Sequence, residues 1–226
     1  MKVGVLFTGG KDSTYALHLA YLQGFDVEVL LSIIPHYEYS MLYHRPVFEL
    51  LKLQAQSMDI PLLSIGLKRE GENELHALYE LLWEAKSIFG IKGVFSGALL
   101  SDYQRMRYSI VAEKLGLKTY NPLWRIDQKK YMLELVENGI EFIIFSINTY
   151  GIPLRFLGKK IELKEVYEIL ERSKKYGFNP AFEGGECETF VVNAPLFKKE
   201  IFIEGKPIRI SQFEGYLKVE KYGFKN

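Results

Sequence analysis

A chain of 226 residues that is 48% hydrophobic and 14% aromatic can form one large domain, or a medium domain with a smaller appendage. Its 29 basic and 28 acidic residues leave a formal net charge of +1, which excludes a global electrostatic footprint for nucleic acid, so no nucleic-acid partner is expected. A lone cysteine, Cys187, excludes an intrachain disulfide and suits the cytoplasm, and no apolar run approaches a membrane span, so no membrane partner is expected.

Val3–Phe7 reads as a first strand, and because it runs straight into a charged loop no signal peptide is expected. A helix follows over Thr14–Gln23 and stops at Gly24. Val27–Ile34 is a near-continuous apolar run, as in a strand buried on both faces. Pro46–Met58 is a helix, Pro61–Ile65 a short strand, and Glu72–Phe89 a helix with apolar residues at helical spacing. Gly93–Phe95 is a fourth strand, Ser101 caps a helix running to Leu115, and Leu117–Tyr120 is a fifth strand. The second half reads as helices over Asp127–Asn138 and Glu162–Tyr176 and a strand over Phe142–Ile147. Antiparallel strands are expected at Phe190–Val192, Glu200–Glu204 and Tyr216–Tyr222, with Glu204-Gly205-Lys206-Pro207 as turn residues. The fold class is therefore α/β: a five-stranded parallel, doubly wound sheet with a smaller C-terminal α+β domain, divided as 1–122 and 123–226. In such a sheet the ligand sits beyond the carboxyl ends of the strands.

Three segments carry chemistry. Thr8-Gly9-Gly10-Lys11-Asp12-Ser13 follows the first strand and opens a helix. Its glycines let backbone N–H groups approach an anion, the helix start adds partial positive charge, and the hydroxyls of Thr8 and Ser13 can donate to phosphate oxygens. It is neither a Walker A loop, since Val5 stands where the first glycine would be, nor a dinucleotide fingerprint, since no third glycine follows. Ser96-Gly97-Ala98-Leu99-Leu100-Ser101-Asp102-Tyr103-Gln104-Arg105 lies at the same end of the sheet. There Asp102 can hold Mg²⁺ against phosphates, and Arg105 and Arg107 can offset phosphate charge; the alternative is an ordinary capped surface helix. Glu183-Gly184-Gly185-Glu186-Cys187-Glu188-Thr189 packs three carboxylates around two glycines between Phe182 and Phe190. Clustered acids shift one another's pKa and can bind an amine or a metal or act as a general base; the alternative is a charged surface turn. Acidic neighbours raise the pKa of Cys187, so it reads as structural. No two of the four histidines have zinc-ligand spacing, and His36 and His44 fall in the loop after the second strand, near the expected nucleotide.

The Thr8–Ser13 loop resembles the PP-loop of the N-type ATP pyrophosphatases, a HUP-like fold, with Thr8 in place of the usual Ser. Together with the Ser96–Arg105 segment, Pro122-Leu123-Trp124, the Glu183–Thr189 segment and Asn193-Ala194-Pro195-Leu196-Phe197, the chain resembles the diphthine–ammonia ligase family in its compact archaeal form. The family usually has an aromatic residue where Cys187 stands. The resemblance implies ATP-dependent amidation of diphthine, a modified histidine on translation elongation factor 2, through an acyl-adenylate, with ammonium as donor and AMP and pyrophosphate as products. It implies ATP and Mg²⁺ as cofactors, with Thr8, Gly9, Gly10, Lys11, Asp12, Ser13, Ser32, Ile33, Gly97 and Asp102 around the nucleotide. Tyr103, Arg105, Glu183, Gly184, Gly185, Glu186, Glu188 and Thr189 would meet the substrate, and Lys11, Asp102, Glu186 and Glu188 would carry catalysis. The trimethylammonium group of diphthine would suit carboxylates flanked by aromatics. A tRNA-modifying adenylating enzyme of the same superfamily and a non-catalytic nucleotide-binding module are the alternatives, and the composition permits a homodimer.

Overall fold

The second strand shows how the first sheet is built. Val29, Leu30 and Leu31 are successive residues, and none is more than 1% exposed. Side chains alternate along a strand, so such a segment is covered on both faces. Val29 and Leu31 join one apolar cluster with Leu78, Leu81, Leu82 and Ala85 from one helix and Val111, Ala112 and Leu115 from another.

The structure, a computed structural model, describes residues 1–35, 46–67 and 74–225. The expectations for His36 and His44 lie outside them. The chain divides into two compact units, one of Met1–Thr8 with Asp12–Trp124, the other of Gly9–Lys11 with Arg125–Asn226.

The first unit contains strands β1 (Lys2–Leu6), β2 (Asp26–Pro35), β3 (Leu62–Leu67), β4 (Gly93–Phe95) and β5 (Lys118–Tyr120), with helices α1 (Lys11–Leu22), α2 (Pro46–Met58), α3 (Glu74–Phe89) and α4 (Asp102–Lys114) between them. All strand pairs are parallel, in the order β3-β2-β1-β4-β5. The winding reverses between β1 and β4, and a crevice opens outside the carboxyl ends of strands at such a reversal. The fold class read from the sequence is the one observed. Helix α1, however, begins at Lys11 rather than Thr14. The sequence reading kept the charged residues out of the helix, yet Lys11, Asp12 and Ser13 form its first turn, where free N–H groups favour polar and acidic side chains. Ser101 caps α4 as expected, its side chain accepting from the Gln104 N–H at 3.3 Å.

The second unit contains helices α5 (Gln128–Glu137) and α6 (Leu163–Tyr176) and strands β6 (Glu141–Asn148), β7 (Cys187–Asn193), β8 (Ile201–Arg209) and β9 (Glu214–Phe224). The sheet is antiparallel, in the order β7-β6-β9-β8. Tyr131, Phe142, Ile144, Val166, Ile169 and Val191 are fully buried and form its core. Asp127 caps α5 by accepting from the N–H groups of Lys129 and Lys130, and those bonds hold its carboxyl below the usual range. Helix α6 stops at Gly177, whose φ of +78° suits glycine.

Two expectations fail here. Gly205, Lys206 and Pro207 lie inside β8, not in a turn. The β8 strand is an edge, where proline costs no ladder bond, and a register shift between Glu204 and Gly205 takes up the irregularity. A Cβ at Gly205 would stand 2.4 Å from the Lys218 carbonyl, so glycine is what lets β9 approach. β7 also begins at Cys187, three residues before the expected Phe190, so Cys187, Glu188 and Thr189 of the acidic segment lie in the strand.

Candidate active site

The strand–glycine–helix loop follows β1. In the first unit the N–H of Thr8 donates to Ser13 Oγ at 3.2 Å, and the two hydroxyls are 3.2 Å apart. Ser32 Oγ donates to the Phe7 carbonyl at 2.5 Å and ties β2 to the end of β1. That use of its hydroxyl, together with burial, directs Ser32 to holding the loop's root. Ile33 packs its side chain against the apolar core, which leaves only its backbone for a ligand. Gly97 explains itself sterically: a Cβ there would lie 2.7 Å from the Asp12 carbonyl carbon and the Ser13 nitrogen. The segment after β4 therefore presses on the first turn of α1 at a point where only glycine fits.

Around α4, Asp102 pairs with Arg105 at 3.0 Å. The Arg105 guanidinium stacks 4.6 Å from the Trp124 ring centroid, and that of Arg107 lies 4.2 Å from the centroid of Tyr103, which is itself largely exposed. Ser96 Oγ donates to Asn121 Oδ1 at 2.6 Å. Among the described residues no group of three or more His, Cys, Asp or Glu side chains could hold a metal unaided. A single half-exposed carboxylate such as Asp102 fits Mg²⁺ only as an ion carried largely by a nucleotide's phosphates, which is magnesium's usual habit.

In the second unit, Gly9–Lys11 runs along the free edge of β7. The Val191 N–H donates to the Gly9 carbonyl at 2.9 Å, and the Lys11 N–H donates to Thr189 Oγ1 at 3.2 Å. Gly9 has φ +75°, the left-handed region that glycine tolerates. Lys11 is 1% exposed; its ammonium donates to the Ala181 carbonyl at 2.6 Å and lies 5.4 Å from the Phe182 ring and 6.0 Å from the Tyr131 ring. This geometry gives Lys11 an anchoring contact, where the resemblance implied a place around the nucleotide and in catalysis.

The acidic segment resolves into distinct environments. Glu186 closes a turn: its carboxylate accepts from the N–H of Asn179 and the N–H of Gly184, both at 2.8 Å. Asn179 Oδ1 accepts from the Ala181 N–H at 2.9 Å and the Glu183 N–H at 3.5 Å. Phe182 sits at φ +66° and Gly185 at φ +79°, so the turn holds a non-glycine residue in a costly conformation. Cys187 is buried and its thiol is pushed up by desolvation, so it is inert.

Glu188 differs from both. Burial pushes its carboxyl up to about 7, and no cation or hydrogen bond among the described residues offsets it. Its register partner on β6 is Ser146, whose partner on β9 is Tyr216. Opposed residues share a face with Cβ atoms roughly 5 Å apart. Ser146 is 1% exposed, and its Oγ has no hydrogen-bond partner. Glu188 and Ser146 thus bring an uncompensated acid and an unsatisfied hydroxyl to one face, beside a register shift between Ile144 and Ser146. The sequence reading missed Ser146 and Asn179. A lone serine in an otherwise apolar strand and the Asn179-Pro180 turn signal are the clues that mark them.

A parallel, doubly wound sheet with a glycine loop after its first strand sets a helix start and its N–H groups at the carboxyl edge, where such sheets hold ligands. The sequence matches the diphthamide synthase N-terminal domain over residues 1–119 and the diphthamide synthase C-terminal domain over residues 127–224. It is 36% identical to the diphthine–ammonia ligase of Rattus norvegicus, over 90% of this chain and 83% of that protein. It is 32% identical to that of Homo sapiens, over 97% of this chain and 89% of that protein. The chain belongs to the diphthamide synthase family, whose curated members are ligases by name. A solved structure described as a predicted subunit of tRNA methyltransferase from Methanocaldococcus jannaschii aligns with TM-score 0.45 and 18% identity, covering 86% of this chain and 98% of that one.

Proposed function

We propose that this chain amidates diphthine on translation elongation factor 2, using ATP and ammonium. What supports this most directly is membership of the diphthamide synthase family combined with the strand–glycine–helix loop at the carboxyl end of β1. A carboxylate is a poor acyl donor because oxide is a poor leaving group. In this reading a diphthine carboxylate oxygen attacks the α-phosphorus of ATP, the bond to the bridging oxygen breaks, and pyrophosphate leaves. Ammonia then attacks the acyl carbon of the adenylate, and AMP departs with the former carboxylate oxygen. Ammonium gives up one proton to become the nucleophile and a second as the amide forms.

The roles divide by environment. Residues 1–122 hold the nucleotide, with Thr8, Ser13 and the first-turn N–H groups of α1 facing its phosphates. Mg²⁺ held by Asp102 and the phosphates would offset charge on the departing pyrophosphate. Residues 123–226 hold the substrate. Glu188 accepts a proton from ammonium: its pKa of about 7 lies near working pH, where a general base is most effective, and Ser146 Oγ supplies a free acceptor on the same face. Glu186 shapes the turn instead of reacting, because both of its oxygens already accept backbone N–H groups. The single cysteine is buried, which suits the cytoplasm, where elongation factor 2 acts. Among the described residues no helix is long and apolar enough to cross a membrane.

The test incubates purified protein with ATP, Mg²⁺, ammonium and elongation factor 2 bearing diphthine, and reads the modified peptide by mass spectrometry. Amidation that disappears when any one component is left out is expected. AMP production without amidation would redirect the search to another acceptor.

A further inference from the structure

The second unit contains a cavity of about 300 Å³, at the small end of the size range of ligand pockets. None of its aromatic residues was a site candidate from the sequence. Tyr150, Tyr176 and Phe178 contribute aromatic surface, and Gly184–Glu186 line it as well. The rings of Tyr150 and Tyr176 stand 5.1 Å apart at 79°, and Phe213 meets Tyr150 at 6.1 Å and 85°. Rings set at right angles make a corner of π faces and edges, the element from which cages for methylated ammonium ions are built. Tyr176 already supports one cation, Lys175 Nζ at 5.1 Å from its centroid. Gly151 keeps that ring in place: a Cβ there would come within 2.7 Å of Tyr176, and its φ of +103° suits glycine alone.

The acid in the wall sets the kind of cation. The Asn179 and Gly184 N–H groups occupy a site on each oxygen of the Glu186 carboxylate. A bare ammonium or guanidinium needs short bonds to acceptors to replace its lost hydration. A fully methylated ammonium has no N–H to satisfy and needs only apolar contact, π faces and a nearby negative field. We infer that this pocket, walled by Tyr150, Tyr176, Phe178 and Glu186, receives a methylated ammonium group. The inference deepens the diphthine reading and rests on it for the identity of the substrate, whose trimethylammonium group the pocket would hold.

The probes are choline and its neutral carbon isostere 3,3-dimethylbutan-1-ol, titrated into the intact protein while the backbone amide resonances of Thr149, Gly184 and Gly185 are followed. Choline should move these resonances, and the isostere should bind about 3- to 30-fold more weakly. Tyr150→Leu keeps apolar bulk and removes the π face at a largely exposed position, so folding should persist. It should weaken choline by a similar factor and raise KM for the diphthine-bearing factor more than it lowers kcat. Equal binding of the two probes, or unchanged choline binding by Tyr150→Leu, would overturn the inference. Choline binding that is lost in Tyr150→Leu, in a protein that amidates no diphthine, would retire the ligase reading and leave the pocket standing. Full amidation with unchanged KM in Tyr150→Leu would retire the pocket and leave the ligase reading.

Discussion

In the proposed reaction, one proton on Glu188 bears on both stability and activity. Its folded pKa of about 7 stands above the ordinary value near 4.5 because burial disfavours the charge. Below about 4.5 the carboxyl is neutral in both folded and unfolded chains and costs nothing. Between about 4.5 and about 7 the unfolded chain ionises while the folded one does not, so stability falls as pH rises, and the full cost stands above about 7. Glu188→Gln should therefore stabilise the protein at pH 8 by roughly 1–3 kcal/mol and have little effect at pH 4, as read by urea denaturation. The same substitution should lower the ammonium-dependent rate by about 100-fold or more and remove the rise in rate through pH 7. A variant that loses stability at pH 8, or keeps that rise, would contradict the role given to Glu188. Gly97 makes the complementary case, in which a side chain is excluded. Gly97→Ala should cost about 1–3 kcal/mol and weaken ATP binding, because the added carbon meets the backbone of Asp12 and Ser13, which cannot swing aside as a side chain can. Thermal unfolding and an ATP titration would read both effects.

The turn over residues 179–186 and strand β7 act as linked elements. Glu186→Ala leaves two backbone donors without their acceptor, so the turn should loosen by about 1–3 kcal/mol, seen as faster hydrogen exchange at Asn179 and Gly184 while β7 stays protected. Thr189→Val removes the acceptor for the Lys11 N–H and should cost about 0.5–1.5 kcal/mol, with the change felt in Gly9–Lys11. The elements of the first sheet were legible because their signals are local: Val27–Ile34 reads as a doubly covered strand, and glycines mark the helix ends. The start of α1 was misplaced because Lys11, Asp12 and Ser13 look like loop residues until their N–H groups are counted as helical. Gly205 and Pro207 misled for a related reason, since a turn and a bulged edge strand use the same residues. In the candidate site, residue types could be read but not their surroundings. Glu183, Glu186 and Glu188 are alike in sequence, and only tertiary structure gives Glu186 its backbone donors and leaves Glu188 without any.

The two compact units share the Thr8–Ser13 segment in an uneven way, since Gly9–Lys11 groups with the second unit and the residues on either side with the first. The proposed reaction makes AMP in step with amide. The decisive experiment is a single-tube comparison of AMP released with diphthine carboxylate amidated, using wild-type protein and Glu188→Gln. One AMP per amide in the wild type, with both products greatly slowed in the variant or AMP formed without amide, is the expected result. ADP in place of AMP, or amide formation at the wild-type rate in Glu188→Gln, would contradict the mechanism.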